Sequence, residues 1–176
     1  MRLMLGASII TLGMLFGGGS MAARMDVKFP SIEGKALSGA AFRAPEDFAK
    51  SHNLVIVAFL RAQQKDVDTW IRRLEALADS SEGFAFYEFP VLEKMNAVTR
   101  FFIYRGMRSG IASERARART VTFHIDKGEF KAGLGIVDES TICLFLVRPD
   151  GTVIWKSSGT WSAEKEHSLR EVIGSR

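Results

Sequence analysis

Apolar positions along the chain fall into three patterns: unbroken runs, alternations and helical stripes. Leu54-Val55-Ile56-Val57-Ala58-Phe59 is an unbroken β-branched and aromatic run, as expected of a strand covered on both faces in a parallel sheet. Val67, Trp70, Ile71, Leu74, Leu77 and Ala78 then recur at helical spacing, which predicts an amphipathic helix from Asp66 to Asp79 with Asp66 as its N-cap. Phe84 to Phe89 reads as a second strand, ended by Pro90. Ala97 to Ser113 reads as a helix that buries Phe101, Phe102 and Ile111, although Gly106 and Gly110 weaken it by about 1 kcal/mol each. Thr120 to Ile125 alternates, with Val121, Phe123 and Ile125 on one face of a half-buried strand.

The remaining elements are shorter. Phe29 to Lys35 is an extended lead-in with a turn, and Glu129 to Leu134 is a short helix stopped near Gly133 and Gly135. Ile142 to Val147 is a second buried strand. Pro149-Asp150-Gly151 is turn chemistry, and Thr152 to Trp155 returns as its hairpin partner. Ser162 caps a last helix with Leu169, Val172 and Ile173 inward and Gly174 after its end.

The first 22 residues are of a different material. Arg2 gives a positive start, Leu3 to Phe16 is apolar, Gly17 to Gly19 breaks any helix, and Ser20-Met21-Ala22 supplies small residues for a peptidase. This is the make-up of a secretory signal, with residues 23–176 as one mature domain outside the cytoplasmic membrane. The alternative is an uncleaved anchor made by residues 3–22. From Asp26 onward no repeat, low-complexity linker or run of like charge divides the chain.

Composition narrows the chemistry. Of 176 residues 47% are hydrophobic and 25% charged, an ordinary globular balance. The single cysteine excludes an internal disulfide, a paired dithiol and a cysteine-built zinc site, and the three histidines are scattered. No metal or cofactor is expected. The net charge of +4 favours acidic partners without implying nucleic acid.

Strand, helix, strand, helix, an insert, a hairpin and a closing helix make an α/β chain with a mixed sheet flanked by helices. This order resembles the thioredoxin-like fold, with Val55 to Phe59 leading into the active-site loop and Phe145 to Trp155 as the central hairpin. A narrower similarity, from Arg105-Gly106-Met107-Arg108 through Phe130 and Leu134-Gly135-Ile136 to the Asp150-Gly151 turn, Trp155 and Gly159, is to the ATPase assembly factor ten family. That resemblance spans Phe29 to Ile173 and implies help in building a membrane complex such as ATP synthase.

The redox apparatus of the superfamily is missing from the expected places. A thiolate at the start of the first helix is stabilised by the helix dipole and free N–H groups, yet this loop reads Leu60-Arg61-Ala62-Gln63-Gln64-Lys65. Ile142 stands where thioredoxins keep a proline. The expectation is therefore a binding or assembly factor that is not an enzyme and holds a protein client, with Arg61, Gln63 and Gln64 replacing the thiols as hydrogen-bond donors. The alternative is a divergent peroxiredoxin-like thiol enzyme that uses Cys143 alone. Cys143 itself reads either as a small core hydrophobe or as a thiol beside the peptide groove.

Arg100, Arg105, Arg108, Arg115, Arg117 and Arg119 form a basic segment opposed only by Glu114. It reads either as a docking face for anionic lipid headgroups or an acidic client, with Arg115, Arg117 and Arg119 at its centre, or as a solvated face paired within the fold. His124 and Asp126 share a strand face, as a base and its orienting carboxylate would, but the sequence fixes no nucleophile near them, and a surface pair is the plainer reading. Glu88, Glu93, Asp138 and Glu139 have no spacing that reports acid–base or metal work.

Overall fold

The computed structural model describes residues 27–174, so the expected signal segment lies outside the described residues. Seven strands form one mixed sheet: β1 (Ile32–Ala36), β2 (Ala41–Ala44), β3 (His52–Ala58), β4 (Phe84–Glu93), β5 (Val121–Ile125), β6 (Cys143–Val147) and β7 (Val153–Ser158). Their order is β2-β1-β5-β4-β3-β6-β7. β3, β4 and β5 run parallel, and the flanking pairs are antiparallel. Five helices join them: α1 (Gln64–Ser80), α2 (Ala97–Gly110), α3 (Glu114–Arg119), α4 (Lys127–Leu134) and α5 (Ala163–Gly174). The expected mixed α/β sheet flanked by helices is the one observed.

The apolar run of β3 divides between two cores, because successive strand side chains point to opposite faces. Val55 and Val57 join Phe29, Phe89, Phe123, Phe130 and Phe145 on one face. Leu54 and Ile56 join Trp70, Leu74, Leu77 and Leu169 on the other, beneath α1 and α5. The Trp70 indole N–H is not stranded by this burial; it donates to the Gly159 carbonyl at 3.0 Å. Gly34 lets β1 lie against β5, since a Cβ there would sit 2.7 Å from the Phe123 ring. At the hairpin Gly151 takes φ 81°, which a side chain would strain.

Four sequence expectations are corrected. α1 begins at Gln64, so Asp66 lies in its first turn and is not the cap. A 3-10 turn at Arg61–Gln63 precedes it and absorbs the change in chain direction. β4 runs through Pro90 to Glu93. Pro90 pairs with Ala58, the last residue of β3, while β5 takes up its pairing from Val91, so the missing N–H falls where one neighbour strand ends and the next begins. The stretch from Ala97 to Ser113 is not one helix: Asn96 caps α2 through the Thr99 amide at 2.9 Å, and Ser113 caps α3 separately. Phe101 and Phe102 are not buried; they are 56% and 66% exposed.

Candidate functional site

The loop that opens α1 is occupied by its own side chain. Gln63 is 3% exposed. Its Oε1 accepts from the amides of Phe59 at 2.8 Å and Leu60 at 3.1 Å, and its Nε2 donates to the Glu139 carbonyl at 2.7 Å. Gln63 thus closes the loop from within and offers no donor to a client. Gln64 is exposed and donates to Asp68 at 3.0 Å, and Arg61 is exposed beside it. Only these two of the three loop residues face solvent.

Cys143 lies one step beyond Ile142 at the start of β6, in register with Val57 of β3. Ile142 and Leu144 are fully buried, whereas Cys143 is half-buried. It forms part of a cleft of about 340 Å³ with Leu134, Ile136, Asp138, Lys156 and Ser158. Burial pushes the thiol above its ordinary value, and the Asp138 carboxylate pushes it further in the same direction. Cys143 is therefore a protonated thiol at neutral pH, open to a ligand and slow as a nucleophile.

One wall of this cleft is held at Glu139. Its carboxylate takes Lys127 at 2.7 Å and Lys131 at 2.9 Å, both from α4, and these bonds hold its pKa below the usual carboxylate range. Its main-chain carbonyl takes Gln63. Sequence reasoning missed this hub, because Gln63 and Glu139 lie far apart in the chain.

The basic segment divides on folding. Arg119 is an internal residue: its side chain is 11% exposed, pairs with Glu75 at 2.9 Å and Glu88 at 3.4 Å, and stacks over Phe86. Glu88 is buried, and desolvation raises its pKa although Arg119 opposes the shift. Arg117 donates to the Ile111 carbonyl and Arg108 to the Leu37 carbonyl, both at 2.6 Å. Arg115 pairs with Asp79 at 2.7 Å in solvent. Arg100 and Arg105, in contrast, are exposed on α2 and have no carboxylate partner among the described residues. Arg115, Arg117 and Arg119 are thus each held within the fold, by Asp79, by the Ile111 carbonyl, and by Glu75 with Glu88.

His124 and Asp126 do not act together. Asp126 caps α4 through the Glu129 amide at 3.1 Å. His124 borders a second cleft, of about 470 Å³, between α2 and the β1–β5 pair, with Arg100, Phe101 and Tyr104 across from it. Its Nε2 is buried without a hydrogen-bond partner. Burial, then the nearby Arg100, lowers its pKa. Among the described residues no group of His, Cys, Asp or Glu is arranged to hold a metal ion.

This layout of strands and helices recurs in solved structures. The chain has the thioredoxin-like fold. The thioredoxin domain of a thiol-disulfide oxidoreductase from Bacteroides vulgatus superposes with a TM-score of 0.57 at 18% identity, covering 85% of this chain and 97% of that one. BsSco, a member of the Sco family of cytochrome c oxidase assembly proteins, gives 0.57 at 10% identity, with 85% and 94% covered. An exposed lipoprotein thioredoxin from Streptococcus pneumoniae gives 0.55 at 9%, with 82% and 98% covered. No family model and no curated protein matches the sequence. The thioredoxin-like part of the sequence resemblance therefore stands, and the narrower likeness to the ATPase assembly factor ten family gains no support. The expectation that the chain is not an enzyme is corrected: its structural neighbours are by name thiol-disulfide oxidoreductases and interchange proteins, although this chain carries one cysteine.

Proposed function

We propose that this chain is a thioredoxin-fold thiol protein that works at or outside the cytoplasmic membrane. It receives a segment of a protein client in the cleft beside Cys143 and serves the assembly of a membrane complex. The observation that carries the reading is the placement of the chain's single thiol, half-open in a cleft at the end of β6 while its strand neighbours are fully buried. The neighbours named as thiol-disulfide oxidoreductases favour thiol exchange, and BsSco is an assembly protein by name. ATP synthase is the complex to which the sequence resemblance points.

The chemistry is a single exchange. The Cys143 thiolate attacks one sulfur of a client disulfide, a mixed disulfide forms, and the other client sulfur leaves as thiolate; the proton of Cys143 goes to solvent. No external oxidant is needed. Because burial and Asp138 keep the thiol protonated, the exchange is slow at neutral pH and speeds up as pH rises.

Reaction of the native chain with dithiobis(nitrobenzoate) tests this reading. The expected result is native-state labelling at Cys143 whose rate keeps rising above the pH at which a free cysteine has levelled off, and which is absent in Cys143→Ser. Labelling seen only after denaturation overturns it.

A further inference from the structure

α2 stands apart from the rest of the fold. It has no buried residue. It is fastened instead by polar bonds from one side: the Tyr104 hydroxyl donates to the Ala36 and Leu37 carbonyls at 3.0 and 3.2 Å, and Arg108 to Leu37. At about 100° per residue, Val98, Phe102 and Arg105 lie on the side turned away from Tyr104, and Phe101 sits at the edge of that face, where it also borders the cleft beside His124. Val98 and Phe102 are each 66% exposed, and the Phe101 and Phe102 rings meet edge to face at 5.8 Å. Lys94 and Arg105 are exposed beside them and lack a carboxylate partner among the described residues, and α2 itself contains no acidic residue.

We propose that α2 is a lipid-docking helix that lies in the plane of an anionic membrane surface. Val98 and Phe102, with Phe101 at their edge, enter the boundary between headgroups and acyl chains, and Lys94 and Arg105 meet headgroup phosphates. Apolar residues ringed by unpaired cations are the mark of an interfacial helix, and cations beside an anionic bilayer add binding. Charge decides the occupant. A second copy of this chain would bring the same cations face to face, and three side chains supply far less than the roughly 800 Å² per partner of a standard protein interface. This inference is independent of the thiol reading, since α2 and Cys143 line different clefts.

The test uses the full chain with vesicles of phosphatidylcholine alone or with 30% phosphatidylglycerol, read by co-sedimentation and by hydrogen–deuterium exchange over residues 97–110. The expected result is slower exchange across α2 with the anionic vesicles only. Lys94→Gln/Arg105→Gln should weaken the anionic preference by about 25-fold, at roughly fivefold per charge. Phe101→Ser/Phe102→Ser should remove the slowing of exchange. Unchanged exchange in α2 on anionic vesicles overturns the proposal. So does equal slowing on zwitterionic ones, or full retention by the charge variant. A lipid-free dimer that Phe101→Ser/Phe102→Ser converts to monomer would assign the face to a second copy instead.

Discussion

α1 and α2 are both amphipathic helices that follow a strand, and they attach to the sheet in opposite ways. α1 buries Val67, Trp70, Leu74 and Leu77 and is held by the hydrophobic effect, which acts wherever apolar area leaves water. α2 buries no residue and is held by a tyrosine hydroxyl and a guanidinium on two carbonyls, bonds worth about 1 kcal/mol each. The difference shows that an apolar stripe at helical spacing marks one face of a helix without saying what that face meets. On α1 it meets the sheet; on α2 it meets whatever lies outside the protein.

The widest separation between the two helices should come from truncating their aromatic residues. Trp70→Ala should cost about 4 kcal/mol, as large-to-small changes in a packed core do, whereas Phe101→Ala and Phe102→Ala should each change stability by no more than about 0.5 kcal/mol. Urea denaturation of the three variants checks this. A loss above 2 kcal/mol from either phenylalanine change would mean that α2 packs as α1 does.

Next in size is Arg119→Gln. It leaves Glu88 buried without its guanidinium, and breaking a buried pair costs about 3 kcal/mol; Arg115→Gln, on a solvent-exposed pair, should leave stability essentially unchanged. The loss should also depend on pH. Burial raises the Glu88 pKa, so its folded form retains a proton that the unfolded chain releases. The stability this gives is full below the unfolded value near 4.5 and is lost as pH rises through the folded one. Without Arg119 the folded value rises further. The gap in melting temperature between Arg119→Gln and the parent should therefore be wider at pH 7.5 than at pH 5, and a gap independent of pH would show that Glu88 finds another partner.

The smallest effect is expected at the hairpin, far from either helix. Hydrogen bonds from the Thr152 amide and hydroxyl, then from Lys28, hold Asp150 down to about 2. A depressed carboxylate contributes stability above its unfolded value and loses it as pH falls toward the folded one. Asp150→Ala should flatten the part of the acid transition between pH 4 and pH 2 by a small but measurable slope in a thermal melt series. An unchanged slope would assign that transition to Glu139 and Glu166, both also depressed.

Much of the fold was legible along the chain. The runs at Leu54–Phe59 and Ile142–Val147 name the two adjacent central strands because only a strand covered on both faces needs so many apolar residues in succession. Pro149-Asp150-Gly151 fixed the hairpin because Gly151 supplies the positive φ. The candidate site was less legible. Gln63 reads as an exposed polar residue until Glu139, in a distant loop, comes within reach of its amide. Arg119 reads as one cation in a basic segment until β4 and α1 bring Glu88 and Glu75 to it. Both depend on partners that the local pattern does not contain. Cys143 supported two readings for a related reason: a strand's alternation gives its side but not whether a helix covers that side.

The triple fastening of Glu139 has a consequence for what the Cys143 cleft can admit. Two lysines of α4 hold its side chain while the glutamine at the mouth of α1 holds its main chain. The adjoining loop carries Asp138 and Thr141, which border the thiol, and it cannot swing outward without releasing one of those ties. The width of the cleft is thus set from both ends, because widening it at this loop means breaking a tie to α4 or to the opening of α1.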